Sequence, residues 1–162
     1  MKGFFKFDSV GSKKCYLKLS YKNHRNFSQH NLKLPQSYIK LMKKQNGGIP
    51  FNCIFPTSKP TSWADDHIEI TSIFGIGRDK RYSILGGKLM SDEWGYPNIG
   101  VAICDCPSGG HDLVFLDYRE CGKYGEPKVV HVDQENDYKI TVLSNTFEEF
   151  ICGLINERER ID

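Results

Sequence analysis

Five short β-type runs in the second half of the chain constrain its fold more than any other feature. HIEITSIFGIG, NIGVAICDC, DLVFLDY, PKVVHVD and YKITVL are rich in β-branched and aromatic residues and are bounded by Gly, Pro, Asn or Asp. The connections between the last of them are too short for a crossover helix, so consecutive runs are expected to pair antiparallel. Such a sheet needs other elements to cover its apolar side.

Two helical patterns supply that cover. In LPQSYIKLMKKQNGG, Pro35 suits a first helical position, Tyr38, Leu41 and Met42 fall at i, i+3 and i+4, and Asn46-Gly47-Gly48 is a left-handed stop. In NTFEEFICGLINERER, Phe147, Phe150, Ile151, Leu154 and Ile155 form one apolar stripe, with Asn145 and Glu148 spaced as a capping box. Gly153 inside this helix costs about 1 kcal/mol relative to alanine, which predicts a close approach of its backbone to the sheet. Between the two lies IPFNCIFPTSKPTSWADD, whose three prolines argue against a central strand. Its Phe51, Phe55 and Trp63 are expected to drape over the core. Before Leu34 one alternating stretch, CYLKLSY at 15–21, fits a half-buried strand.

These patterns predict a single α+β domain, a mainly antiparallel twisted sheet flanked by helices, which the length of 162 residues suits. The opening MKGFFKFDSV lacks the apolar run of a secretory signal, and no stretch is long enough to span a bilayer. Six cysteines, at 15, 53, 104, 106, 121 and 152, show no disulfide-scaffold spacing. A reducing, cytoplasmic setting is expected.

The net charge of +2 conceals a split. Residues 1–64 hold 12 Lys/Arg against Asp8 alone, giving +11, while residues 65–162 hold 10 against 19 Asp/Glu, giving −9. A basic arm and an acidic body attract different partners, although ordinary solvated surface accounts for the same split. The 11 Lys/Arg of residues 1–44, interleaved with Phe4, Phe5, Phe7, Tyr16 and Tyr21, raise nucleic-acid binding. The isoelectric point near 8.2 and the acidic remainder argue against it.

The stretch GGHDLVFLDYRECGKYGEP at 109–127 carries the residue types of acid-base or metal chemistry. A metal-dependent hydrolase reading of His111-Asp112 needs further histidines on helices, and His24, His30, His67 and His131 lie in no helical pattern. The simpler reading has Asp112 open a strand, with its carboxylate bonded to backbone amides of the Gly109-Gly110 turn. Asp117 and Arg119 read as a local ion pair at a strand end or as a ligand-facing rim. Cys104, Cys106, His111 and Cys121 offer four zinc ligands but lack C-x-x-C knuckles, and Cys104 and Cys106 share a strand face. Buried thiols are the default. No G-x-S-x-G elbow is present, and Gly75-Ile76-Gly77-Arg78 reads as a turn rather than a phosphate cradle. No catalytic residue, metal or cofactor is assigned.

Leu34-Pro35 with Tyr38, Asn46-Gly47-Gly48, Gly100, Gly110 with Asp112, Glu126-Pro127 and the Phe147/Phe150 closing helix together resemble the SUKH superfamily. That group is shared by yeast cell-wall glucan-synthesis regulators and bacterial toxin-immunity proteins. The resemblance covers about residues 34–155. It divides the chain into a divergent basic segment, 1–33, and a SUKH-like domain, 34–162. Residues 1–30 are basic where the family carries a Glu-rich amphipathic helix.

The resemblance implies a non-catalytic protein-binding module: an immunity protein that neutralises a cognate toxin, such as a nuclease, or alternatively a regulatory scaffold for endogenous partners. An acidic surface would complement the basic cleft of a nuclease. The residues expected to carry binding are Asp65, Asp66, Glu69, Asp92, Glu93, Asp117 and Arg119, with Trp94, Tyr96, Tyr118 and Tyr124 as aromatic anchors. Core packing is the competing reading for Trp63 and Trp94.

Overall fold

The computed structural model describes residues 32–77 and 83–156. The stretch at 15–21, the basic segment up to Asn31 and Arg78 lie outside the described residues. The elements run α1 (Gln36–Lys44), β1 (Ile54–Pro56), β2 (His67–Glu69), β3 (Ser72–Ile73), α2 (Ile84–Glu93), β4 (Gly100–Asp105), β5 (Asp112–Asp117), β6 (Lys128–Asp133), a 3-10 turn (Gln134–Asn136), β7 (Lys139–Ser144) and α3 (Phe147–Gly153). Strands β3 to β7 form one sheet in chain order, antiparallel at every pair. The α+β fold is thus present: the last four runs become β4 to β7, while HIEITSIFGIG divides into β2 of a small sheet and β3 of the main one.

The prolines act as expected. β1 pairs with β2 in a small separate sheet that ends at Pro56, with a single further bridge from Ile54 to Ile155. Of its aromatics only Phe55 reaches the core, stacking on Phe150 with ring centroids 5.2 Å apart. Phe51 and Trp63 are exposed, so the expectation that all three cover the core is corrected.

Both predicted helices form, with shifted ends. Pro35 stands just outside α1, its carbonyl accepting from the Ile39 amide, and the helix stops at Lys44 rather than Asn46. Asn46 instead clamps a distant turn: its Nδ2 donates to the Ile76 carbonyl and its Oδ1 accepts from the Ile76 amide, each at 2.7 Å. Gly47 lies beneath that turn with φ +77°, and a Cβ there would stand 2.7 Å from the Gly75 nitrogen. The motif is therefore a backbone-to-backbone contact as well as a stop. α3 is capped by Thr146, whose Oγ1 accepts from the Glu149 amide, while Glu149 Oε2 accepts from the Asn145 amide. The capping box sits one residue later than Asn145 and Glu148 suggest. The helix ends at Gly153, against which Phe55 packs so closely that a Cβ would meet its ring at 2.6 Å. Ile155 then leaves the stripe to pair with Ile54.

α2 is a helix the sequence does not announce. Ser83 caps it, its Oγ accepting from the Gly86 amide at 3.1 Å. Gly86-Gly87 masks the pattern, yet Gly87 is what lets the helix dock, since a Cβ there would stand 2.6 Å from Phe74 and 3.3 Å from Ala102. The register of β4 explains how one strand serves two layers. Ala102 pairs with Phe115 but Cys104 pairs with Val114, so Ile103 is an extra residue and Ala102 and Cys104 face opposite ways. Ala102 faces α2. Cys104 faces α1, where the Tyr38 ring meets Phe147 of α3 at 4.9 Å. β5, the central strand, is buried along its whole length.

Candidate functional site

The meander leaves two ends, and the β5 direction names them: one at Asp112, the other at Asp117. At the Asp112 end four segments meet. Trp94 caps α2 and its carbonyl accepts from Tyr138 Oη at 2.7 Å and Gln134 Nε2 at 3.5 Å, both from the β6–β7 turn. That turn is tight enough to hold Asp137 and Tyr138 at φ +52° and +54°, a left-handed conformation that costs non-glycine residues about 1 kcal/mol each. Tyr96 packs edge-on against Tyr138 and donates to the Gly110 carbonyl at 2.7 Å, tying in the β4–β5 turn. The 57–66 loop closes the group through Ser62, whose amide donates to Asp133 Oδ2 at 2.7 Å, and through Lys139 Nζ, which donates to the Pro60 carbonyl.

On the outside of this junction stands an aromatic and acidic surface. His111 lies edge-on between Trp94, 4.9 Å away, and Trp63, 6.5 Å away, and its Nδ1 meets Glu135 Oε1 at 2.5 Å. Trp63 is 49% exposed. Asp65 and Asp66 follow it in the same loop and are exposed, as are Asp92 and Glu93 at the end of α2. Asp92 holds Lys88 at 2.5 Å and Asp66 holds His67 at 2.7 Å.

The opposite end gathers Asp117, Tyr118, Arg119 and Tyr124. Arg119 grips Asp117 with Nε at 3.0 and 3.1 Å and a terminal nitrogen at 2.6 Å, and its amide donates to the same carboxylate. Burial raises the Asp117 carboxyl, but these bonds from Arg119 together outweigh it and hold the group below the usual carboxylate range. Tyr118 is buried, donating to the Lys33 carbonyl at 2.8 Å, and burial pushes its phenol up. Tyr124 is 74% exposed.

The eleven residues expected to bind a partner therefore do not make one patch. Asp65, Asp66, Asp92, Glu93 and Trp94 lie at the first end, and Asp117, Tyr118, Arg119 and Tyr124 at the second. Glu69 stands apart on the small sheet, beside Cys53. Tyr96 and Tyr118 are core residues, buried because each ring fills a gap at a strand end while its hydroxyl finds a carbonyl; they are corrected from anchors to supports. Trp63, His111 and Glu135 share the first surface although they stand outside the expected binding set: the sequence offers Trp63 as core cover, His111 as a metal candidate and Glu135 as one more carboxylate of the acidic half.

Behind the first surface lies a buried cluster. Asp112 opens β5 as expected, but its carboxylate does not serve the Gly109-Gly110 amides; Oδ2 meets His131 Nε2 at 2.6 Å. Its own amide donates to Ser108 Oγ. Cys106 completes a group of three, with one donor atom from each side chain within 4.8 Å of those of the others. Burial first, then the Asp112 charge, push the Cys106 thiol up. The other zinc set does not converge: His111 is on the surface with Glu135, Cys104 faces α1, and Cys121 lies at the far end of the sheet. The five described cysteines are thiols rather than disulfides.

A family model described as SMI1-KNR4 cell-wall (SUKH_6) matches residues 28–151 of the chain. No curated protein and no solved structure matches it. Among the described residues no helix is long and apolar enough to cross a membrane.

Proposed function

Since this chain belongs to the SMI1-KNR4 cell-wall family, which supports an immunity- or regulator-type protein-binding role, we propose that it is a non-catalytic immunity protein that binds and neutralises a cognate toxin. The observation that carries the reading beyond the family is the surface at the Asp112 end. It combines an exposed indole, a histidine on a second indole and five exposed carboxylates from three segments: Asp65, Asp66, Asp92, Glu93 and Glu135. Indoles supply the desolvated centre of an interface, and a rim of carboxylates steers a basic partner toward it. The cleft of a nuclease must be basic to hold phosphate, so this surface fits over such a cleft and blocks it by charge and bulk. The thiol state of the five described cysteines supports a cytoplasmic site of action.

The test is co-expression with the product of an adjacent toxin-type gene, followed by titration of the purified pair. The expected result is protection of the cells and a complex whose association slows as salt rises. Trp63→Ala should weaken it at least tenfold with the melting temperature unchanged. No complex, or a complex indifferent to Trp63, overturns the assignment. The family's cell-wall description favours a second reading, a regulatory scaffold for endogenous proteins. That reading predicts a solitary gene and capture of a host protein through the same surface.

A further inference from the structure

We propose that Cys106, Asp112 and His131 form a structural site for one divalent cation of the zinc class, sealed inside the Asp112 end of the sheet. The sheet register builds it. Asp112 pairs with Asp133 and Val114 with His131, so Asp112 and His131 stand diagonally on one face of β5 and β6. Cys104 pairs with Val114 and shares that face; Cys106, two residues on, returns to it just beyond the end of β4. The three side chains come from three strands that the bulge at Ile103 has set in phase.

The chemistry of the set matches a borderline-soft cation: one sulfur, one imidazole nitrogen and one carboxylate oxygen, with donors within 4.8 Å of one another. All three residues are at most 3% exposed. The polar atoms around them are unfinished. Asp112 Oδ1 and His131 Nδ1 are buried and have no hydrogen-bond partner, and neither has Asp133 Oδ1 or Ser72 Oγ at the same end. A hydrogen-bonded core pair of ordinary design satisfies such atoms. Charge balance points the same way. A thiolate and a carboxylate carry two negative charges, which a dication cancels with imidazole neutral. Binding requires the Cys106 thiol to lose its proton to solvent, so uptake releases one proton there. Three protein ligands leave a fourth tetrahedral position, which suits a water.

Cobalt(II) chloride and zinc chloride are the probes, used on the full chain. Cobalt should give the near-ultraviolet thiolate charge-transfer band and the visible spectrum of a tetrahedral site, and one equivalent of zinc should displace it. Cys106→Ser should abolish the charge-transfer band, and His131→Gln should remove the rise in melting temperature that zinc produces. Cys104→Ser, which alters the neighbouring buried thiol on the same face, should leave both. If Cys106→Ser fails to fold, the wild-type protein decides alone. A wild-type chain that yields no such band and melts at the same temperature in zinc and in chelator overturns the site, and so does a band that Cys106→Ser leaves intact. Neither result bears on toxin binding.

Discussion

β5 begins and ends with an aspartate, and the two are treated in opposite ways. At Asp117 the protein spends an arginine that stays half in solvent, and a fork of hydrogen bonds uses both carboxylate oxygens. At Asp112 it offers a fully buried histidine, engages one oxygen and leaves the other without a partner. The first is a closed structural tie. The second holds unmet bonding capacity behind a surface where exposed indole, histidine and carboxylates meet. The contrast shows that a strand's two ends need not share a task even when they carry the same residue.

His131→Leu should deepen this contrast most, because it strands the Asp112 carboxylate in the core: a loss of about 3–5 kcal/mol, read from urea unfolding. A loss under 1 kcal/mol breaks the idea that the pair is integral to the core. Arg119→Ala should cost less, about 1–2 kcal/mol at pH 7, since water reaches the exposed side of the gap it leaves. Its pH dependence follows from the depressed Asp117 carboxyl. Stability from that group is present above its unfolded value near 3.9 and is lost as pH falls through the lower folded value. The gap between wild type and Arg119→Ala should therefore close in acid, and a gap that persists at the lowest pH breaks the comparison. Smallest of all, Glu135→Gln should shift stability by less than about 0.5 kcal/mol, because its contact with His111 is on the surface. A larger thermal shift would move His111 from the interface to the scaffold.

The sheet was legible because short apolar runs rich in β-branched and aromatic residues, such as DLVFLDY and PKVVHVD, are bounded by turn residues and buried along nearly their whole length. α2 was not, because Gly86 and Gly87 read as a break, and only the proximity of Phe74 and Ala102 reveals why glycine is required. The closing helix was placed correctly and ended wrongly, since Ile155 continues the helical stripe but is claimed by Ile54 in another element. The site divides in the same way. The carboxylates at 65, 66, 92 and 93 are visible as exposed-type residues. The joining of His111 to Trp94, Trp63 and Glu135 depends on how four loops converge, and the meeting of Asp112 with His131 on strand register, neither of which local sequence encodes.

The contact between Tyr38 of α1 and Phe147 of α3 joins the first described helix to the last. During synthesis the ribosome therefore delivers Leu34, Tyr38, Leu41 and Met42 long before their cover exists. At ordinary elongation rates the wait is roughly 5–20 s. Throughout it the nascent chain carries an uncovered apolar segment, too short to hold a helix alone, that is a handle for chaperones and a liability if translation stalls before Phe147.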